Sequence, residues 1–231
     1  MRGLLLALVL LGGCATVAPP VVHPGIVDAA GLERGAGSLS IDGAVGMTPG
    51  PVPPPMAALG GLHGEVGLGK RWMLRLDGEG IGVGQRAIGG GRIGLRRTVS
   101  GGRASLGMGV GGGGAWYPGQ RPAGWIAPDW EIAVGDRLGV VVTGFVMRAG
   151  FSVPFEPALH EMALTLSWST HFHVGFEPRE GHTIALVVPA GAAVSPTNGH
   201  TTGWLGVGVG YQLRWGGAAS PDRAGRATPP R

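Results

Sequence analysis

Ser169, His171, His173 and Glu177 form the densest group of chemistry-bearing side chains in the 231-residue chain. In an extended strand, residues two apart share a face and stand about 6.5–7 Å from each other. Two imidazoles at that spacing can hold a metal ion when a third ligand approaches from another element. Serine, histidine and carboxylate are also the types from which a nucleophilic set is assembled. His63 and Glu65 repeat the spacing as a weaker pair. The simplest role for all of these is polar lining of an interior, so neither a metal, a cofactor nor an enzymatic activity is expected.

A second set is charged: Glu65, Arg75, Asp77, Glu79, Arg92, Arg96, Arg103, Glu131, Glu161, Glu177 and Arg214. These residues lie among apolar side chains that recur at every second position. An unpaired charge in a low-dielectric interior is costly. Opposite charges facing across a narrow lumen would therefore pair and hold it shut. Were the lumen open, Arg92, Arg96, Arg103 and Arg214 would bias it toward anions.

The elements that carry these residues alternate with period two. Leu39, Ile41, Val45 and Met47 oppose Ser38, Ser40, Asp42 and Gly46, and Leu205, Val207, Val209, Tyr211, Leu213 and Trp215 oppose Gly206, Gly208, Gly210, Gln212 and Arg214. Such alternation predicts strands, placed at 38–47, 60–69, 71–83, 88–99, 102–114, 126–135, 138–149, 159–169, 171–178 and 203–215. No comparable stretch has a helical period. Turns near 70, 100, 136 and 170 are short, and the connections at 48–60, 112–126, 149–158 and 178–202 are longer and rich in Pro and Gly. The expected fold is an all-β, antiparallel up-and-down barrel of about ten strands. Residues 182–188 could extend a hairpin or add a strand, which keeps eight and twelve open.

Composition narrows the alternatives. Charged residues make up 14% of the chain against about 25% in an average soluble domain. The 48 glycines keep no period of three, which excludes collagen. A single cysteine excludes a disulfide scaffold. The net charge of +4 is carried by dispersed arginines without a recognition helix, so nucleic acid is not an expected partner. The glycine runs 107–111 and 206–210 clear one face of two strands. They read as a device for barrel curvature, with space for a solute or for a plug made from residues 15–37 as the second reading.

The N-terminus reads as an address. Met1-Arg2-Gly3 precedes the apolar run Leu4–Leu11, which is too short to span a membrane as a helix. Leu11-Gly12-Gly13-Cys14 resembles the bacterial lipoprotein lipobox. The resemblance implies diacylglycerol on Cys14, cleavage just before it, and, with Ala15 following, sorting to the outer membrane. The expected organisation is a signal peptide over 1–13, an acylated cysteine and tether over 14–37, the barrel over 38–215 and a disordered tail over 216–231.

Tryptophan decides between a membrane barrel and a soluble one. Trp72, Trp168 and Trp215 fall near the strand ends expected at the periplasm, and Trp116, Trp125 and Trp204 near the opposite ends. That distribution matches aromatic belts at two lipid interfaces. Residues 38–215 thus resemble small Gram-negative outer-membrane barrels in pattern, without the motif of a specific family. Ser169, His171 and Glu177 resemble in type the catalytic set of outer-membrane lipid A deacylases, although in those enzymes the histidine precedes the serine. The expected function is a narrow, porin-like pore or a structural surface protein, lipid-anchored in the outer membrane with both termini periplasmic. Expected partners are outer-membrane lipids, the barrel-assembly and lipoprotein-sorting machineries, and small solutes. The alternative is a periplasm-facing lipoprotein with a soluble β-sandwich or lipocalin-like binding domain, and a lipid-modifying enzyme is third.

Overall fold

The computed structural model describes residues 25–27, 31–47, 56–69, 71–83, 86–99, 102–116, 123–155, 165–194, 196 and 201–216. Cys14, Glu161 and the tail beyond 216 lie outside these residues. The strands are β1 (Gly37–Met47), β2 (Met56–Gly69), β3 (Trp72–Val83), β4 (Arg86–Val99), β5 (Ala104–Trp116), β6 (Ala123–Leu138), β7 (Val141–Phe155), β8 (Thr165–Arg179), β9 (His182–Val194) and β10 (Thr201–Trp215). Each pairs antiparallel with its neighbours in sequence, and β1 closes on β10 from Gly37↔Trp215 to Met47↔Leu205. The result is a closed ten-stranded barrel without a free sheet edge.

The total of ten is reached differently from the sequence reading. No turn occurs near 170: β8 runs unbroken from Thr165 to Arg179, and the strand after it is His182–Val194. Ser169 and Thr170 bring no Gly, Pro, Asn or Asp to a turn, and the in–out alternation continues through them. The true break is at Glu180-Gly181, where Gly181 adopts φ +79°. One split strand and one omitted strand cancelled. The short connections at 70–71, 100–103, 139–140 and 180–181 all fall at the end that holds Gly37 and Trp215. The longer ones fall at the other end, together with the two-residue β3–β4 connection at 84–85.

Side-chain polarity is inverted relative to a soluble barrel. Ile41, Val45, Leu76, Met108, Ile184, Leu186 and Val209 are exposed, while Arg75, Asp77, Arg96, Glu131, His171 and His173 are buried inside. Water would make so continuous an apolar exterior untenable. Strands of 11 to 16 residues exceed the roughly 9–11 that a tilted strand needs to cross a bilayer. This is a membrane-spanning β-barrel. A sandwich or lipocalin-like core is ruled out, because the apolar face is the outer one.

The tether reading is corrected for its C-terminal part. Gly25–Val27, Gly31 and Leu32 lie within the barrel, Glu33–Gly35 are exposed at its rim, and Ala36 is buried again. Ile26 packs on Ala185 and Val187, Val27 on Ala133 and Val146, and Leu32 on Met73 and Ala36. The segment enters at the short-turn end, where Gly35 donates to Gly67 O at 2.9 Å and Gly67 donates to Ala36 O at 2.9 Å, prolonging the β1–β2 ladder. These inward apolar residues are how an N-terminal segment of low polarity escapes water.

Candidate functional site

The interior charges join into one network drawn from six strands. Asp77 on β3 is its hub. It accepts from Arg75 Nε at 2.7 Å, from Arg92 Nη1 at 3.2 Å and from Arg148 Nη2 at 3.1 Å, and it faces His63 Nδ1 at 2.8 Å. The other ring nitrogen of His63 lies 3.5 Å from Asp42 on β1. Glu131 on β6 accepts from Arg148 Nη2 at 2.8 Å and lies 3.4 Å from Arg75 Nη1. Glu65 receives Arg96 at 2.9 Å, Glu79 lies 3.5 Å from Arg148, and Asp129 clasps Arg92 through two bonds of 2.6 and 2.7 Å. Contacts such as Arg148–Asp77 and Arg75–Glu131 join strands that are not neighbours, so they bridge the lumen rather than run along its wall.

Nearer the short-turn end, a smaller group closes the interior. Glu177 accepts from the Gly181 amide at 2.7 Å and from Arg214 at 3.2 Å, and it also pairs with Arg137. Toward the long-loop end, Arg92, Asp129, Arg148, Trp125, Ser167 and Ser169 line a small cavity.

The inner glycines make room for large neighbours. A Cβ on Gly109 would lie 2.6 Å from Arg92 Cζ, and one on Gly113 would lie 2.5 Å from the Trp125 ring. A Cβ on Gly210 would lie 2.8 Å from Ile26 Cδ1. The run 107–111 therefore seats a guanidinium, and Gly210 in the run 206–210 seats the N-terminal segment. Curvature is not their only service.

Of the expected lumen residues, Glu65, Arg75, Asp77, Glu79, Arg92, Arg96, Glu131, His171, His173, Glu177 and Arg214 point inward. Arg103 does not: it sits in the β4–β5 connection, three-quarters exposed, 3.6 Å from Asp136. The strand expected over 102–114 starts at Ala104, which leaves Arg103 in the turn. Trp72, Trp168 and Trp215 are exposed on the outer surface. Trp168 lies at the long-loop end, not the short-turn end, because β8 does not turn at 170. Trp125 and Trp204 are also corrected, being 3% and 8% exposed within the interior. Each shares its strand parity with inward residues, Trp125 with Glu131 and Trp204 with Gln212. The side chain of Trp116 lies outside those described.

Sequence reasoning missed Arg148 as a lumen residue. A strand running unbroken over 138–149 would put Leu138 and Val142 on one face, whereas the turn at Gly139-Val140 puts Leu138 outside and Val142 inside. Counting from Val142 would have placed Val146 and Arg148 inward. Asp129, two residues before Glu131, was available by the same rule.

The catalytic alternative loses its geometry. Ser169, His171 and Glu177 share one face of a single strand, but Glu177 stands six residues from His171, about 20 Å along β8. Glu177 is engaged by Arg214 and the Gly181 amide. His171 and His173 lie side by side with ring centroids 5.6 Å apart. Among the described residues no three His, Cys, Asp or Glu side chains are grouped as a metal ion would need.

The fold and the apolar exterior together define a class, the membrane-spanning β-barrel. No protein-family model and no curated protein matches the sequence. Among solved structures, the translocator domain of autotransporter NalP from Neisseria meningitidis aligns over 93% of this chain and 95% of its own, at 11% identity and a TM-score of 0.36. The outer membrane protein OprG from Pseudomonas aeruginosa aligns over 80% and 98%, at 9% identity and a TM-score of 0.31. Ail, the attachment invasion locus protein of Yersinia pestis, aligns over 78% and 99%, at 14% identity and a TM-score of 0.25.

Proposed function

We propose that the chain is an outer-membrane β-barrel lipoprotein with a closed lumen, serving as a structural surface protein rather than an open pore. One observation carries this reading: Ile26, Val27 and Leu32 pack inside the barrel beside an ion network that bridges its walls. A solute would have to displace the segment and separate buried ion pairs, each a costly step.

The anchor rests on the lipobox at Leu11–Cys14. Cys14 and Gly25 are eleven steps apart along the chain, an extended reach of about 36–40 Å, which is enough to join a leaflet-bound lipid to a segment inside the barrel. In this reading the short-turn end and both termini face the periplasm, as expected for barrels with short periplasmic turns. Barrel-assembly and lipoprotein-sorting machineries would act on the chain before it is seated.

The test is gel mobility of washed membranes in SDS, unheated against boiled, followed by planar-bilayer recording. A heat-dependent shift with no conductance steps is expected. Steps in the unmodified protein would overturn the closed-lumen reading in favour of a pore. A Cys14→Ala protein that still incorporates labelled fatty acid would remove the anchor.

A further inference from the structure

The short-turn rim is strongly asymmetric in charge. Arg34, Arg71, Arg97, Arg103, Arg137 and Arg179 are exposed there, against the acids Glu33, Asp136 and Glu180. At the opposite rim, no residue whose side chain is described is both charged and exposed.

Within that rim one sector has further construction. Arg71 occupies the β2–β3 turn at φ +69°, and its carbonyl accepts from the Thr98 amide at 2.9 Å, tying the turn to β4 beside Arg97. The Arg97 guanidinium stands over the Trp72 ring, 5.6 Å from its centroid. Trp72 and Arg97 are also register partners. Arg34 packs beside Gly69 in the same turn, where a Cβ would lie 3.5 Å from Arg34 Cβ. Directly below Arg97 on the outer face of β4 come Leu95 and Ile93, and Leu68 is exposed on β2. Arg97 thus stands against Trp72 at the edge of an apolar wall, with Arg71 in the adjoining turn.

We propose that Arg71 and Arg97 bind the phosphate of an anionic glycerophospholipid, whose acyl chains lie along Leu68, Trp72, Leu95 and Ile93. The chemistry of the site sets this choice. Guanidinium groups match phosphate in charge and geometry. Tryptophan favours the headgroup level. The aliphatic side chains beneath suit hydrocarbon. Cation–π contact with Trp72 holds the Arg97 plane in place before a headgroup arrives.

This inference rests on the membrane-spanning reading, and its test separates the two. The full-length barrel is reconstituted in phosphatidylcholine vesicles carrying trace spin-labelled phosphatidylglycerol or spin-labelled phosphatidylcholine, and the motionally restricted fraction is measured. Phosphatidylglycerol is expected to associate about two- to threefold more strongly than phosphatidylcholine. About 0.5 M NaCl should reduce that preference. The Arg71→Gln/Arg97→Gln protein should lose most of it while keeping its heat-dependent gel shift. Equal association of the two lipids, or a preference unchanged in the double variant, would overturn the proposal. A spin-labelled lipid A competitor that displaces phosphatidylglycerol only at the wild-type site would overturn the choice of glycerophospholipid. No restricted lipid of either kind would overturn the membrane-spanning reading itself.

Discussion

Arg148 on β7 donates to Asp77 on β3 at 3.1 Å while the same nitrogen holds Glu131 on β6 at 2.8 Å. One guanidinium therefore ties three strands across the lumen. Both carboxylates also contact Arg75, so the tie belongs to a network rather than to a pair. Removing one member of a buried ionic set leaves its partners uncompensated. Arg148→Ala should destabilise the folded barrel by about 3–5 kcal/mol, read as a lower urea midpoint for unfolding from vesicles. Arg103→Ala, at an exposed turn pair, should shift the midpoint by no more than about 1 kcal/mol. A similar midpoint for the two variants would show that the network contributes no more than a surface ion pair.

The outer face makes the opposite demand. Val209 lies next to the midpoint of β10 and is 66% exposed. A charge there must meet hydrocarbon. Val209→Arg should cost about 2–4 kcal/mol in lipid vesicles. Gly208→Ala cannot serve as its control, because the inner face is crowded against Ala44. Leu138→Arg, at the short-turn rim beside the headgroups, serves instead and should cost about 1 kcal/mol or less. Equal penalties at the two positions would contradict a bilayer centred on β10.

Most of the architecture was legible because alternation is a local property. Leu39 through Met47 and Leu205 through Trp215 state their own parity, and the closure of β1 on β10 follows once both strands are known. What failed was inference from position along the strand. Trp125 and Trp204 lie near strand ends, where belts occur, yet parity directs them inward, and Gly113 and Gly191 leave space for their rings. Arg148 was hidden by apolar inward neighbours, Val142 and Val146, which imitate an outer face. Those valines are inward because Val27 of the N-terminal segment packs against Val146. No local pattern in residues 25–36 announces that they enter a barrel whose walls are encoded elsewhere.

Gly144 and His173 give a more local test. They are register partners on β7 and β8, and the His173 ring lies across the place a Gly144 Cβ would occupy. Gly144→Ala should lower the unfolding midpoint by an amount equivalent to about 1–3 kcal/mol, the usual cost of overpacking. In the His173→Ala background the same substitution should cost far less. The coupling between the two, from a double-mutant cycle, should be at least about 0.5 kcal/mol. Additive effects would mean that the ring does not fill that space.

The closed lumen yields the sharpest prediction. Ile26 and Val27 contact different parts of the wall, with Ala185 and Val187 on β9 for one and Ala133 and Val146 on β6 and β7 for the other. Gln212 on β10 donates to the Ile26 carbonyl at 3.3 Å, which fixes the backbone between them. A protein lacking residues 25–36 keeps the lipobox and every barrel strand. It should retain the heat-dependent gel shift, because closure of β1 on β10 does not involve the deleted residues. Planar-bilayer recording should then show conductance steps where the intact protein shows none, with small amplitude because Arg75, Asp77, Arg92, Glu131 and Arg148 still bridge the walls. Adding Arg148→Ala to the deletion should enlarge the steps. Silence in the deletion, with steps only once Arg148→Ala is added and the gel shift intact, would place the seal in the ion network and not in the N-terminal segment.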